Sequence, residues 1–95
     1  MTAYMVVDVR YGDLGWTKDY RRDVPAMIAA HGGRYLARSA AVEQLEGDGG
    51  VPDTLAIVEF PTVEAARALL ASADYRPYAL ARQAGARTQI YLLEG

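Results

Sequence analysis

The sequence predicts an α+β fold in the order βαββαβ, a four-stranded antiparallel sheet with its helices on one face. Three observations predict it. Four short apolar runs rich in β-branched and aromatic residues alternate with two stretches of helical periodicity. The two central runs are joined by a glycine-rich turn suited to a hairpin. The halves of the chain also echo each other: YMVVDV and LAIVEF open them, RYLA and IYLL close them. Ninety-five residues make one domain, 1–95, with no room for a second core.

The first strand is Ala3 to Arg10, with Met5, Val7 and Val9 on one face and Tyr4, Val6 and Asp8 on the other. Tyr11 to Gly15 is a loop. Trp16 to Ala30 is a helix, because Trp16, Tyr20, Val24, Met27 and Ile28 recur at spacings of three and four. Pro25 removes a backbone donor inside it and predicts a kink or a new segment. His31-Gly32-Gly33 ends the helix with a glycine suited to a left-handed cap.

Arg34 opens the second strand, expected to continue past a break at Ser39-Ala40 to Leu45. Glu46 to Asp53 is turn-forming. The third strand, Thr54 to Phe60, is apolar on both faces apart from Glu59. Pro61 stops it and Thr62 is an N-cap for the next helix, whose inner stripe is Val63, Ala66, Leu69 and Leu70. A further short helix spans Asp74 to Gln83, and the fourth strand runs from Thr88 to Leu93. This is the split βαβ, or ferredoxin-like, plan.

Helices on one side can cover only one face of such a sheet. The strands are apolar at both parities, and spacing alone does not say which parity meets the helices. Either choice leaves a row of large apolar side chains in water, which is costly and aggregation-prone. A second copy packed sheet to sheet about a two-fold axis removes that exposure. A homodimer through the sheet face, a dimeric α/β barrel, is therefore expected.

Composition narrows the function. A net charge of -2, with ten basic residues scattered along the chain, predicts neither a nucleic-acid partner nor an anionic membrane. No cysteine and a single histidine exclude thiolate chemistry and argue against a metal site. No glycine motif follows a strand and opens a helix as dinucleotide binding requires, so no cofactor is expected. The N-terminal residues do not read as a signal peptide, and no apolar run approaches the roughly 20 residues of a membrane span. The expected location is cytoplasmic.

Four residues are candidates for catalysis. Glu59 sits in the most apolar strand, where desolvation would raise its pKa as a general acid or base requires; the alternative is that it pairs with an arginine or caps backbone donors beside Pro61. Asp8 and Arg38 lie on strands that flank the third. Asp8, Glu59 and Arg38 would meet near the sheet centre if their parities agree, either as an acid–base pair with an arginine for a developing oxyanion or as a buried ion-pair network. His31 is either a helix C-terminal cap or a proton shuttle. For substrate binding the candidates are Tyr4, Trp16, Tyr20, Tyr35, Tyr75, Tyr78 and Arg82. Tyrosines combine an apolar body with a polar tip, so they suit a cavity wall for a planar ligand as well as core and interface filling. Arg82, one turn beyond Tyr78, would close such a pocket on a carboxylate or phenolate, or serve as a surface charge.

The run His31-Gly32-Gly33-Arg34-Tyr35-Leu36-Ala37-Arg38, then Leu45-Glu46-Gly47, Val58-Glu59-Phe60-Pro61, Ala65-Ala66-Arg67, Ser72-Ala73-Asp74-Tyr75, Arg82 and the closing Leu93-Glu94-Gly95 resembles the DUF1330 family. The resemblance covers nearly the whole chain and implies the dimeric α/β barrel superfamily, without implying a reaction. The chain departs from the family pattern at Ser39, Ala40, Leu69 and Ala73. The favoured functional reading is a small enzyme independent of cofactors, acting on a small organic molecule, aromatic ones included, by proton transfer, rearrangement or oxygenation. The alternative is a non-catalytic binding or interaction protein of the same fold.

Overall fold

A computed structural model describes residues 1–95. Its elements are β1 (Ala3–Tyr11), α1 (Thr17–Ala30), β2 (Arg34–Ser39), β3 (Thr54–Phe60), α2 (Val63–Ala71), α3 (Arg76–Gly85) and β4 (Ala86–Glu94). The strands form one antiparallel sheet in the order β2-β3-β1-β4. That is the expected ferredoxin-like α+β arrangement, with α3 as a third helix on the connection to β4.

Side-chain parity, undecided from the sequence, is settled by burial. Ala3, Met5 and Val9 of β1 and Ala56, Val58 and Phe60 of β3 are buried beneath the helices. They join Val24 and Ile28 of α1, Ala66 and Leu69 of α2, and Tyr75 in the core. The other parity carries Tyr4, Val6, Asp8, Leu55, Ile57, Glu59, Tyr91 and Leu93 on a face no helix covers, with Tyr91 56% and Leu93 50% exposed. The chain is only 17 Å through its shortest axis, one sheet and one helical layer.

Local chemistry fixes the boundaries. The Gly32 amide reaches the Ala29 carbonyl at 2.9 Å and the Gly33 amide reaches that of Ile28 at 2.9 Å, with Gly32 at φ 78°. This paired closure is the Schellman ending that glycine permits. Thr62 accepts the Ala65 amide at 3.0 Å and starts α2. Pro25 sits inside α1, which continues as one helix through it; the alternative of a new segment does not occur.

β2 ends at Ser39 and does not reach Leu45. Ser39 pairs with Leu55, one residue from the start of β3, so a β2 continued to Leu45 would run past its partner strand. The Ser39 hydroxyl also accepts the Ala41 amide at 2.9 Å, a local turn that competes with the ladder. Residues 40–53 form a long connection. Its far end is tied to β1: the Asp53 amide donates to the Val9 carbonyl, and the Asp53 carboxylate accepts the Tyr11 amide, both at 2.9 Å.

The β2–β3 ladder carries an irregularity. Tyr35 faces Val58 and Ala37 faces Ile57, leaving Leu36 as an extra residue between them. Such a bulge shifts the alternation by one. Tyr35 and Arg38, three apart and so on opposite faces of a regular strand, both point to the helix side.

Candidate functional site

A cleft of about 60 Å³ opens between the helix-facing side of the sheet and α1. By volume it accommodates a few waters or the edge of a small organic molecule. Its floor is the alternating set Met5, Val7 and Val9 with Ala56 and Val58, all apolar because this parity faces the core. Trp16 and Tyr20, one helical turn apart, form one wall, and Tyr35 and Arg38 reach it from β2 through the bulge. Arg82 enters from α3, and Tyr11, Arg21 and Thr54 close the end near the β1–α1 loop.

The aromatic rings brace one another. Trp16 and Tyr20 meet edge to face, with centroids 5.4 Å apart at 88°. Tyr20 lies edge-on to Tyr75 at 6.0 Å, and Tyr11 is 6.0 Å from Trp16. The Tyr20 and Tyr75 hydroxyls share a hydrogen bond behind the cleft. The Trp16 indole donates to the Asp13 carbonyl at 2.7 Å and packs on Gly85, where any side chain would collide with the ring. The carbonyl of Gly85 accepts the amides of Gly12 and Asp13 at 2.9 and 2.8 Å, so the β1–α1 loop is latched to the end of α3.

Electrostatics follow from burial and these partners. Burial raises the Tyr20 pKa, with the neighbouring Tyr75 and its hydrogen bond adding to the rise and Arg82 opposing it. Burial also raises that of Tyr35, and Arg38, 5.6 Å over its ring, opposes the rise. Arg82 is 5% exposed, and its Nε has no hydrogen-bond partner. No carboxylate lines the cleft, and no acidic group lies within 4.0 Å of Arg21, Arg38 or Arg82.

The structure thus brings Trp16, Tyr20, Tyr35, Arg38 and Arg82 together, with Tyr75 buried behind Tyr20. It places the other candidates elsewhere. Tyr4 is on the open face with its ring against Gly95. The Tyr78 hydroxyl donates to Asp23 at 2.6 Å on the far side of Tyr20. Hydrogen bonds from Arg22 and Tyr78 hold the Asp23 carboxyl down at about 2. His31 caps α1, its Nδ1 3.0 Å from the Met27 carbonyl.

The expected meeting of Asp8, Glu59 and Arg38 does not occur. Asp8 and Glu59 share the open face, four ladder positions apart or about 13 Å at ordinary strand rise, while the bulge turns Arg38 to the helix side. Asp8 pairs with Arg10 at 3.4 Å and Glu59 with Arg34 at 3.2 Å.

The sequence does not mark Tyr11, Thr17, Arg21 or Thr54 as cleft residues. The glycine-rich run after Arg10 reads as a loop from Tyr11, yet Tyr11 continues the Met5, Val7, Val9 alternation and belongs to β1; that extension is the signal for it. Its hydroxyl bonds the Thr54 hydroxyl at 3.0 Å and accepts from Arg21 at 3.1 Å. Nothing in the period marked Arg21, which lies off the apolar stripe. Thr54 is a buried polar residue at the first position of β3.

No group of three or more histidine, cysteine or acidic residues is arranged to hold a metal ion. No helix is long and apolar enough to cross a membrane.

The fold is shared with solved structures. A protein of unknown function from Rhodopseudomonas palustris superposes with a TM-score of 0.84 at 21% identity, over 99% of this chain and 82% of that one. SnoaB from Streptomyces nogalater, described as a cofactor-independent oxygenase, gives 0.70 at 17% identity, over 99% and 92%. A Bacteroides thetaiotaomicron protein of unknown function, described as a possible oxidoreductase, gives 0.66 at 16%, over 99% and 97%. At these identities the likeness is one of fold. No curated protein matches the chain. The domain of unknown function DUF1330 matches residues 2–95, and the chain belongs to that family.

Proposed function

We propose that this protein is a small-molecule enzyme that works in the cleft beneath α1, without a cofactor, on a small planar organic substrate. The carrying observation is the cleft itself: an apolar floor, a wall of braced aromatic rings, and tyrosine and arginine groups converging on one space. The fold shared with a cofactor-independent oxygenase supports the same class. The chemistry is proton transfer, rearrangement or oxygenation with dioxygen as oxidant. Trp16, Tyr20 and Tyr35 hold the ring, Tyr75 positions Tyr20, and Arg38 and Arg82 stabilise negative charge that develops on a substrate oxygen.

In this reading Asp8 and Glu59 are ion-pair partners on the open face rather than acid–base groups. That face is where a second copy packs, giving a homodimer; its exposed Tyr91 and Leu93 beside half-buried Val6, Leu55 and Ile57 support it. The protein acts in the cytoplasm.

One observation favours the second reading, a binding protein without catalysis. The cleft lining includes neither a carboxylate nor an imidazole, so it offers no ordinary general base. The two readings separate on purified protein supplied with a panel of hydroxylated aromatic compounds in air, followed by product analysis and oxygen uptake. The enzyme reading expects turnover that falls about tenfold or more in Arg38→Ala, the loss of one charge-assisted contact. Ligand binding without turnover establishes the binding protein instead. If Glu59→Gln abolishes turnover and Arg38→Ala does not, the chemistry lies on the open face and the cleft assignment is wrong.

A further inference from the structure

Charge in this molecule is distributed unevenly between its two layers. On the open face the arginines Arg10 and Arg34 each have a carboxylate within 3.4 Å. In the cleft the rule reverses. Arg21, Arg38 and Arg82 line it, no aspartate or glutamate does, and none of the three forms an ion pair. Arg21 donates to the Tyr11 hydroxyl and Arg38 lies over the Tyr35 ring, both neutral partners. Arg82 is the strongest case. It is 95% buried by its 5% exposure, its Nε lacks an acceptor, and it is the only charged residue in the hollow it also borders toward Thr88 and Ile90 on β4. A desolvated guanidinium without a counter-charge is costly, and arginine cannot shed its proton to relieve that cost.

We infer that the cleft selects an organic anion, its charged oxygen seated between Arg82 and Arg38 and its planar body lying along Trp16 over the apolar floor. This rests on the cleft being the ligand site and deepens that reading by naming the substrate class. Carboxylate and phenolate or enolate share the required chemistry: delocalised negative oxygen that accepts from a guanidinium fork. The field acts in the right sense, since Arg82 eases ionisation of the Tyr20 hydroxyl and Arg38 that of Tyr35, against the effect of burial. A substrate that enters as the anion also needs no general base from the protein, which accounts for a cleft with neither carboxylate nor imidazole.

The test uses the full chain with 4-nitrophenol, benzoate and benzamide. The first changes its absorbance on ionisation, so it reports its own charge state when bound. With anion selection, added protein increases the phenolate band at fixed pH, benzoate competes, and benzamide binds about tenfold more weakly than benzoate. Arg38→Gln, at an exposed position, and Arg82→Gln each reduce phenolate affinity about tenfold while binding of benzamide stays within about twofold. Binding of benzoate without binding of 4-nitrophenolate, read by calorimetry, assigns the carboxylate source. Binding of 4-nitrophenol with loss of the phenolate band, or equal affinity for benzoate and benzamide, overturns the anion inference and leaves the cleft reading intact. If none of the three binds, both fall. Circular dichroism checks that Arg82→Gln folds, and Arg38→Gln decides the matter where it does not.

Discussion

The two faces of the sheet are made from the same strands and nearly the same residue types, yet they handle polarity in opposite ways. The open face mixes Tyr4, Val6, Leu55 and Ile57 with acids, each answered by an arginine. The helix face has a more apolar floor, with arginines brought over it and no acid lining its cleft. Strand alternation produces the difference, because adjacent residues belong to different environments. Glu59 and Val58 are neighbours in sequence; one is an ion-pair partner in reach of water, and the other is 1% exposed in the core. The lesson is that chemistry here is assigned by parity before it is assigned by residue type.

The sharpest way to break this comparison is to truncate β3 at positions of opposite parity. Phe60 is fully buried and packs on Gly33. Phe60→Ala should cost about 3–5 kcal/mol in urea unfolding. Ile57→Ala on the open face should cost far less in the isolated chain, and should lower dimer affinity in light scattering; equal losses for the two would mean that the faces are not distinct. Next in size is the exchange Ala37→Arg with Arg38→Ala. It keeps composition and net charge but moves a guanidinium across the sheet, and binding of 4-nitrophenolate should weaken about tenfold. Unchanged binding would show that parity at the bulge is irrelevant.

A third prediction concerns alkaline pH. Tyr20 ionises at an ordinary pKa of 10.0 when unfolded and higher when folded. Above pH 10.0 the unfolded chain has therefore lost a proton that the folded one keeps. Stability is complete below that pH and declines as pH rises through and beyond it. Tyr35 acts in the same direction. Tyr20→Phe should flatten the decline in the unfolding midpoint, and an identical slope would mean that Tyr20 is solvated. Smallest is Asp8→Asn, which removes a partly exposed ion pair. The expected cost is under about 1 kcal/mol and should vanish in high salt.

Much of the fold was legible because its signals are local. The helices showed their period, Thr62 its cap, and Gly32 its turn, and the excess of apolar residues at both parities announced a sheet with two faces to cover. That same excess hid which face met the helices. The bulge at Leu36 left no mark either, since a bulge is an agreement between two strands rather than a property of one. Neighbouring strands suggest grouping Arg38 with Asp8 and Glu59, but the extra residue turns Arg38 to the other face, and Asp8 and Glu59 stand four ladder positions apart. The end of β2 was similarly non-local: Ser39 stops where β3 stops offering partners. The spacing to Tyr78 marks Arg82 in the sequence, but its burial without a counter-ion depends on packing among α3, α1 and β4.

Trp16 is the chain's single tryptophan, and it stands in the cleft wall with Gly85 beneath it and Tyr11 and Tyr20 within 6.0 Å. The protein consequently carries an intrinsic optical probe at the place where a ligand would lie. Its emission has one source, so a spectral change on titration reports this wall alone. Tyrosine excitation passed to the indole from two near rings would fall if a guest parted them. Gly85→Ala, by displacing the indole, should alter that signal before any ligand is added.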